Sequence, residues 1–122
     1  MMIKALICVS VMCLALLPTR TYGQAQTVQY EKVFKAKRLT GKVLDPAGNS
    51  IRDVFVQVCD KHWTNCSTST NTNEDGNFSF SSFTEKRLYH MRLSSPGLNP
   101  LEVRVKTGHA GKELILRMEI AT

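Results

Sequence analysis

The densest cluster of side chains able to do chemistry is Cys59-Asp60-Lys61-His62-Trp63-Thr64-Asn65-Cys66. Two cysteines with a histidine between them form part of a metal-binding set. A structural zinc site takes four ligands, however, and no second Cys or His motif supplies the fourth. In an oxidising compartment, a lone pair of cysteines this close together is expected to form a disulfide instead. Closing so short a loop stabilises a fold by about 2–3 kcal/mol in the chain-entropy model. The loop carries the single Trp of the chain, so Trp63, His62, Asn65 and Asp60 are the candidate ligand-binding residues. A rigid aromatic beside hydrogen-bonding groups stacks on a sugar ring or anchors a protein partner. The alternative is that Trp63 folds back to cover one end of the domain.

Elsewhere the chemistry is thinner. Asn71-x-Asn73-x-Asp75-Gly76 has the oxygen ligands and the glycine of half a calcium loop. Position twelve of such a loop should be a bidentate Glu and is Ser82, so an Asx-type turn between strands is the expectation. His62, His90 and His109 stand without a nucleophile or carboxylate in a recognisable motif, and each is expected to be solvated. No HExxH, G-x-S-x-G, phosphate-binding Gly loop or Cys-x-x-Cys is present. These residues lead to the expectation of a protein that is not an enzyme and that uses neither metal nor cofactor.

The first residues read as an export signal. Met1 to Lys4 is a short positive start, Ala5 to Leu17 is apolar apart from Ser10, and Pro18 ends the run. Small residues follow, with Thr21 and Gly23 placed for cleavage before Gln24, or Gly23 and Ala25 for cleavage before Gln26. Residues 1–23 are therefore expected to be a signal peptide. The apolar run is too short to cross about 30 Å of hydrocarbon comfortably, so no membrane span is expected after cleavage. A periplasmic or extracellular location follows. Sixteen Lys and Arg against ten Asp and Glu give a formal charge of +6, and loss of Lys4 and Arg20 with the leader leaves +4. That balance is too mild for a nucleic-acid binder, and export argues the same way.

What remains is about one hundred residues, enough for one domain with one modest core. Its apolar period is two almost throughout. Val54, Val56 and Val58 alternate with Phe55 and Gln57; Tyr89, Met91 and Leu93 alternate with His90 and Arg92. Leu101, Val103 and Val105 repeat the pattern, as do Leu114, Leu116, Met118 and Ile120. Each run gives one apolar and one polar face, as half-buried strands require. Gly, Asn and Pro clusters at 45–49, 73–76, 95–100 and 108–111 punctuate the runs as turns. With Ser67 to Thr72 taken as a polar edge strand, the expectation is an all-β, seven-stranded antiparallel β-sandwich over residues 39–122. Residues 24–38, with Lys32, Lys35, Lys37 and Arg38, are expected to be an N-terminal arm, flexible or forming an extra strand.

Three stretches resemble carboxypeptidase regulatory-like domains. They are Gly41-x-Val43-x-Asp45-x-x-Gly48-x-x-Ile51-x-x-Val54-x-Val56, Thr72-Asn73-Glu74-Asp75-Gly76-Asn77-Phe78-Ser79-Phe80, and Tyr89-x-Met91-x-Leu93-Ser94-Ser95-Pro96-Gly97-Leu98. The chain departs from the pattern at Ser50, where Pro is usual, at Asp53, where Gly is usual, and at Leu98, where an aromatic is common. The resemblance implies a small transthyretin-like sandwich of the kind found in exported bacterial proteins. It therefore makes the sequons Asn65-Cys66-Ser67 and Asn77-Phe78-Ser79 coincidental. A fold of this kind carries no chemistry by itself. The expected role is a non-catalytic accessory or adhesive module that binds an envelope or extracellular protein. The rival expectation is a carbohydrate-binding module that holds a polysaccharide on the Trp63 loop.

Overall fold

The computed structural model describes residues 26–109 and 113–121. The expected leader over 1–23 lies outside them. Within the described residues the chain forms eight strands and no helix: β1 (Val28–Lys35), β2 (Thr40–Leu44), β3 (Phe55–Cys59), β4 (Cys66–Asn71), β5 (Asn77–Ser79), β6 (Leu88–Ser94), β7 (Leu101–Lys106) and β8 (Leu114–Arg117). They make a five-stranded sheet in the order β1-β7-β6-β3-β4 and a three-stranded sheet in the order β5-β2-β8.

This corrects the expectation of seven antiparallel strands. Both sheets are mixed, because β1 runs parallel to β7 and β2 runs parallel to β8. The additional strand is β1, which comes from the segment expected to be an arm, flexible or forming an extra strand. Its Val28, Tyr30 and Phe34 are half-buried against the core, so the basic residues between them ride on a strand. The pairing slips register between Gln29 and Val33, which lets an irregular polar sequence keep its apolar side chains inward.

Alternation does the rest. Val56 and Val58 of β3, Met91 and Leu93 of β6, and Val103 and Val105 of β7 turn toward the small sheet's Val43, Phe78, Leu114 and Leu116. One apolar cluster thus takes side chains from both sheets, an arrangement consistent with a β-sandwich. Burying each such Leu, Val or Met favours folding by roughly 1.5–3 kcal/mol. Gly41 faces inward on β2, where a β-carbon would run into the Leu114 carbonyl and stand 3.0 Å from the Phe78 ring. Glycine there lets β2 and β8 sit close enough for the ring to seal the core.

Two details depart from a simple reading of the pattern. Ile120 continues the alternation of β8 yet is 60% exposed. The strand ends at Arg117, and the chain then crosses to the turn at 95–99, where Glu119 O accepts from Asn99 N and Ala121 N donates to Gly97 O. The second detail is Asp53, whose φ of 58° lies in the left-handed region. The tight turn at 52–53 is pinned by buried Thr72, whose hydroxyl donates to Ile51 O at 2.7 Å and accepts from Val54 N at 2.9 Å. That backbone geometry is the physical reason a glycine suits position 53.

These two sites respond oppositely to substitution. Gly41→Ala should lower stability by about 1–3 kcal/mol through overpacking. Asp53→Gly should raise it by up to about 1 kcal/mol, because the left-handed backbone disfavours a β-carbon. Urea midpoints of the two purified variants against the parent check both signs.

Candidate functional site

Cys59 ends β3 and Cys66 starts β4, and their disulfide closes the expected loop. Inside it Asp60 acts as the organiser. Its carboxylate accepts from His62 N at 3.1 Å, Thr64 N at 3.0 Å and the Thr64 hydroxyl at 3.0 Å. Its backbone N donates to Asn65 O, and its carbonyl accepts from Trp63 N. The Thr64 amide foremost holds the Asp60 carboxyl below its ordinary pKa. Asp60 is thus engaged inside the loop rather than turned toward a ligand. His62 and Asn65 are exposed.

Trp63 does not stand at a free loop tip. It is half-buried and lies back on the outer face of the five-stranded sheet. Its ring meets His90 edge-on at 5.2 Å between centroids, and the Arg92 guanidinium lies 5.9 Å from the indole centroid. Arg92 is the fastener. Nη2 donates to the Trp63 carbonyl at 3.0 Å and to Glu102 Oε2 at 2.7 Å, Nε donates to the same oxygen at 2.9 Å, and Nη1 points to Cys66 Sγ at 3.8 Å. The Gln29 amide completes Glu102 at 3.0 Å. The Glu102 side chain is only 10% exposed and that of Arg92 31%. A half-buried pair with its remaining hydrogen bonds made is worth more than a surface ion pair.

These partners follow from register. Gln57, Arg92, Glu102 and Gln29 are cross-strand neighbours in one row of β3, β6, β7 and β1. In the next row His90 pairs with Cys59 and Arg104. The sequence shows that Arg92 and Glu102 share the polar face, but only the strand order puts them side by side. Glu102 therefore pairs with Arg92 of the neighbouring strand, not with Arg104 or Lys106 of its own.

Beside the Trp63 ring, Gln29, Tyr30, Lys61, His90 and Arg104 border an open depression of about 340 Å³. It offers donors and an aromatic edge to a polar ligand. His90 is held below its ordinary pKa first by burial and then by the Arg104 charge, with Asp60 opposing. The half calcium loop forms a turn instead: Asn73 Oδ1 accepts from Asp75 N and Asn77 N, which occupies the oxygen a cation would need. His109 is half-buried.

A second surface lies where the two sheets leave an open side. β1 and β8 are edge strands of the large and small sheets. Val33, Phe34, Leu114 and Ile115 line a depression of about 540 Å³ there, with Lys32, Lys35 and Glu113 at its rim. Ile115 is 47% exposed. Sequence reasoning did not single out this surface. Its one signal was Ile115, the apolar residue on the otherwise polar side of β8.

No family model matches the chain, and no curated protein matches it at a significant level.

The histidine makes the loop sensitive to pH. The folded pKa of His90 lies below the unfolded value of about 6.5, so below that pH the unfolded state binds more protons. Stability is therefore full above about pH 6.5 and falls as pH drops from there through the folded pKa. The lowered carboxyls of Asp45 and Asp60 contribute stability that is present above about pH 4–5 and is lost only as pH falls below that, a separate window. Urea midpoints taken between about pH 7.5 and pH 5 should show this loss in the parent and a flatter profile in His90→Gln.

Proposed function

We propose that this chain is an exported, non-catalytic β-sandwich module of the carboxypeptidase regulatory-like type that binds a protein of the cell envelope along its open side. The leader-like first residues and the Cys59–Cys66 disulfide support export. The two sheets around one apolar cluster, and positive φ at Gly48, Gly76 and Gly97 of the motif turns, support the family reading. Among the described residues, no helix is long and apolar enough to cross a membrane.

The observation that carries the binding role is the open side itself. Two strands that are edges of their sheets among the described residues flank an apolar depression, and a sheet edge is where an incoming strand can add. An extended partner segment adds to β1 or β8 through its backbone and places alternate side chains beside Phe34 and Ile115. The second reading, polysaccharide on the disulfide loop, draws on the depression beside Trp63 with Lys61 and His90 at its border. It requires the indole to present a face that now lies beside Arg92.

Capture of envelope proteins by the immobilised, oxidised domain separates the two. Ile115→Lys should reduce capture of any specific partner at least about tenfold, because it puts a charge into the apolar contact, while Trp63→Ala should leave capture intact. Retention on insoluble polysaccharide that Trp63→Ala abolishes and Ile115→Lys spares would move the function to the disulfide loop.

A further inference from the structure

Three segments meet at one end of the two sheets and enclose a depression of about 680 Å³. This is within the roughly 300–1,000 Å³ range of small-ligand sites. Lys37, Arg38 and Lys86 line it, and among the described residues no acidic one does. None of the three makes an ion pair among the described residues, where the pairs are Arg52–Asp53, Arg87–Glu85 and Arg92–Glu102. Glu113 borders the adjoining depression beside Lys37, Arg38 and Thr40, and the β1/β8 depression. Hydroxyls of Thr40, Ser79 and Thr84 complete the rim, and Phe83 forms one wall.

The walls are laced together. Gly108 N donates to Lys37 O at 3.2 Å and His109 N to Ala36 O at 3.0 Å, which ties the segment after β7 to the one after β1. Thr107, 6% exposed, clasps the chain on both sides of Lys86: its hydroxyl donates to Glu85 O at 3.0 Å and accepts from Arg87 N at 3.1 Å. The Lys86 stem lies over Gly108, where a β-carbon would stand 3.0 Å from its Cγ and Cδ. Phe83 is wedged between Phe80 and Tyr89 at centroid distances of 5.8 and 5.4 Å. Like charges around one concavity repel each other, and an oxyanion seated between them removes that repulsion.

We propose that this end cavity binds an acidic sugar unit of an anionic polysaccharide. The three cations hold its carboxylate or sulfate, the hydroxyl rim bonds its ring hydroxyls, and Phe83 packs against its apolar ring face. The mix of lining groups selects this class. Single-stranded nucleic acid stacks on several exposed aromatic faces, whereas the two aromatics lining this cavity are Phe80, buried, and Phe83, half-buried. The contact is separate from the β1/β8 depression and from Trp63, and it holds whether or not a protein partner binds there.

The test is retention of the oxidised domain on immobilised heparin, polygalacturonate and neutral dextran across a salt series. Lys37→Gln/Lys86→Gln is compared with Arg52→Gln/Arg117→Gln, which carries the same net charge. The cavity variant should weaken binding to at least one acidic polymer by about tenfold or more, as expected for loss of charge-assisted hydrogen bonds. The control should retain nearly all binding, and dextran should bind neither. Preference for polygalacturonate assigns a carboxylate sugar, and preference for heparin a sulfated one. Equal weakening in both variants, equal retention on dextran, or tighter cavity-dependent binding to a single-stranded DNA oligomer would overturn the proposal. Unchanged urea midpoints in both variants establish that the exposed substitutions act on binding.

Discussion

The two sheets share a single apolar layer, and that layer governs the placement of everything else. Strands of both sheets turn alternate side chains into it, and chain segments just outside the strands, at Leu39, Val54, Phe80 and Met118, are drawn in as well. With the interior filled by hydrocarbon, polar and charged groups are left to the outer faces, the edges and the ends. Where a polar side chain is buried, as at Thr72 and Thr107, it supplies two or more hydrogen bonds to backbone that the core leaves unpaired. At Gly41 the layer leaves no room for a side chain, because a β-carbon would run into the Leu114 carbonyl and the Phe78 ring.

The same local chemistry closes three loops. Asp45, Asp60 and Asn73 each accept, through a side-chain oxygen, from the backbone N two and four residues on. Each carbonyl also accepts from the N three residues on, at Gly48, Trp63 and Gly76. In all three loops that third residue has positive φ: 89° at Gly48, 62° at Trp63 and 76° at Gly76. Two loops put glycine where the turn demands a left-handed backbone, and the third puts the bulkiest residue of the chain. A Trp in that conformation is strained by roughly 1–2 kcal/mol and persists only when its surroundings hold it there. The disulfide, the Asp60 carboxylate and the Arg92 guanidinium are what hold it.

Local features of the fold were readable from the residues. Period two located most of the strands, Gly48 and Gly76 located turns, and two closely spaced cysteines located the disulfide. What was not readable is non-local. The parallel pairings of β1 with β7 and of β2 with β8 join segments far apart in sequence, and no local pattern specifies them. The same limit applied to the site. Trp63 and its loop stood out in the sequence, but His90 and Arg92, which decide where the ring lies, did so only once strand order was known. Asp60 looked like a ligand-facing group and is a turn residue, because an Asp at the start of a tight loop serves its own backbone first. The basic stretch before β2 reads equally as a flexible arm or an extra strand, because its apolar residues are too sparse for clean alternation.

Arg92 and the cations at the end cavity differ in how much of their charge is already engaged. Arg92 is saturated: its guanidinium serves Glu102, the Trp63 carbonyl and the Cys66 sulfur, and removing it would leave Glu102 a nearly buried carboxylate with only the Gln29 amide. Such a cation rigidifies the fold and has little left to offer an incoming anion. Lys37, Arg38 and Lys86 are arranged the other way: they line a shared concavity, the Lys37 carbonyl and the residues flanking Lys86 are hydrogen-bonded in place, and none of the three makes an ion pair among the described residues. Fixing the stem while leaving the head uncompensated lowers the entropy lost when a ligand arrives and preserves the charge that attracts it. The conspicuous aromatic loop is thus a fastened cap on the outer sheet face. The less conspicuous lysines and arginine at the end of the sheets are the groups whose chemistry is still unspent.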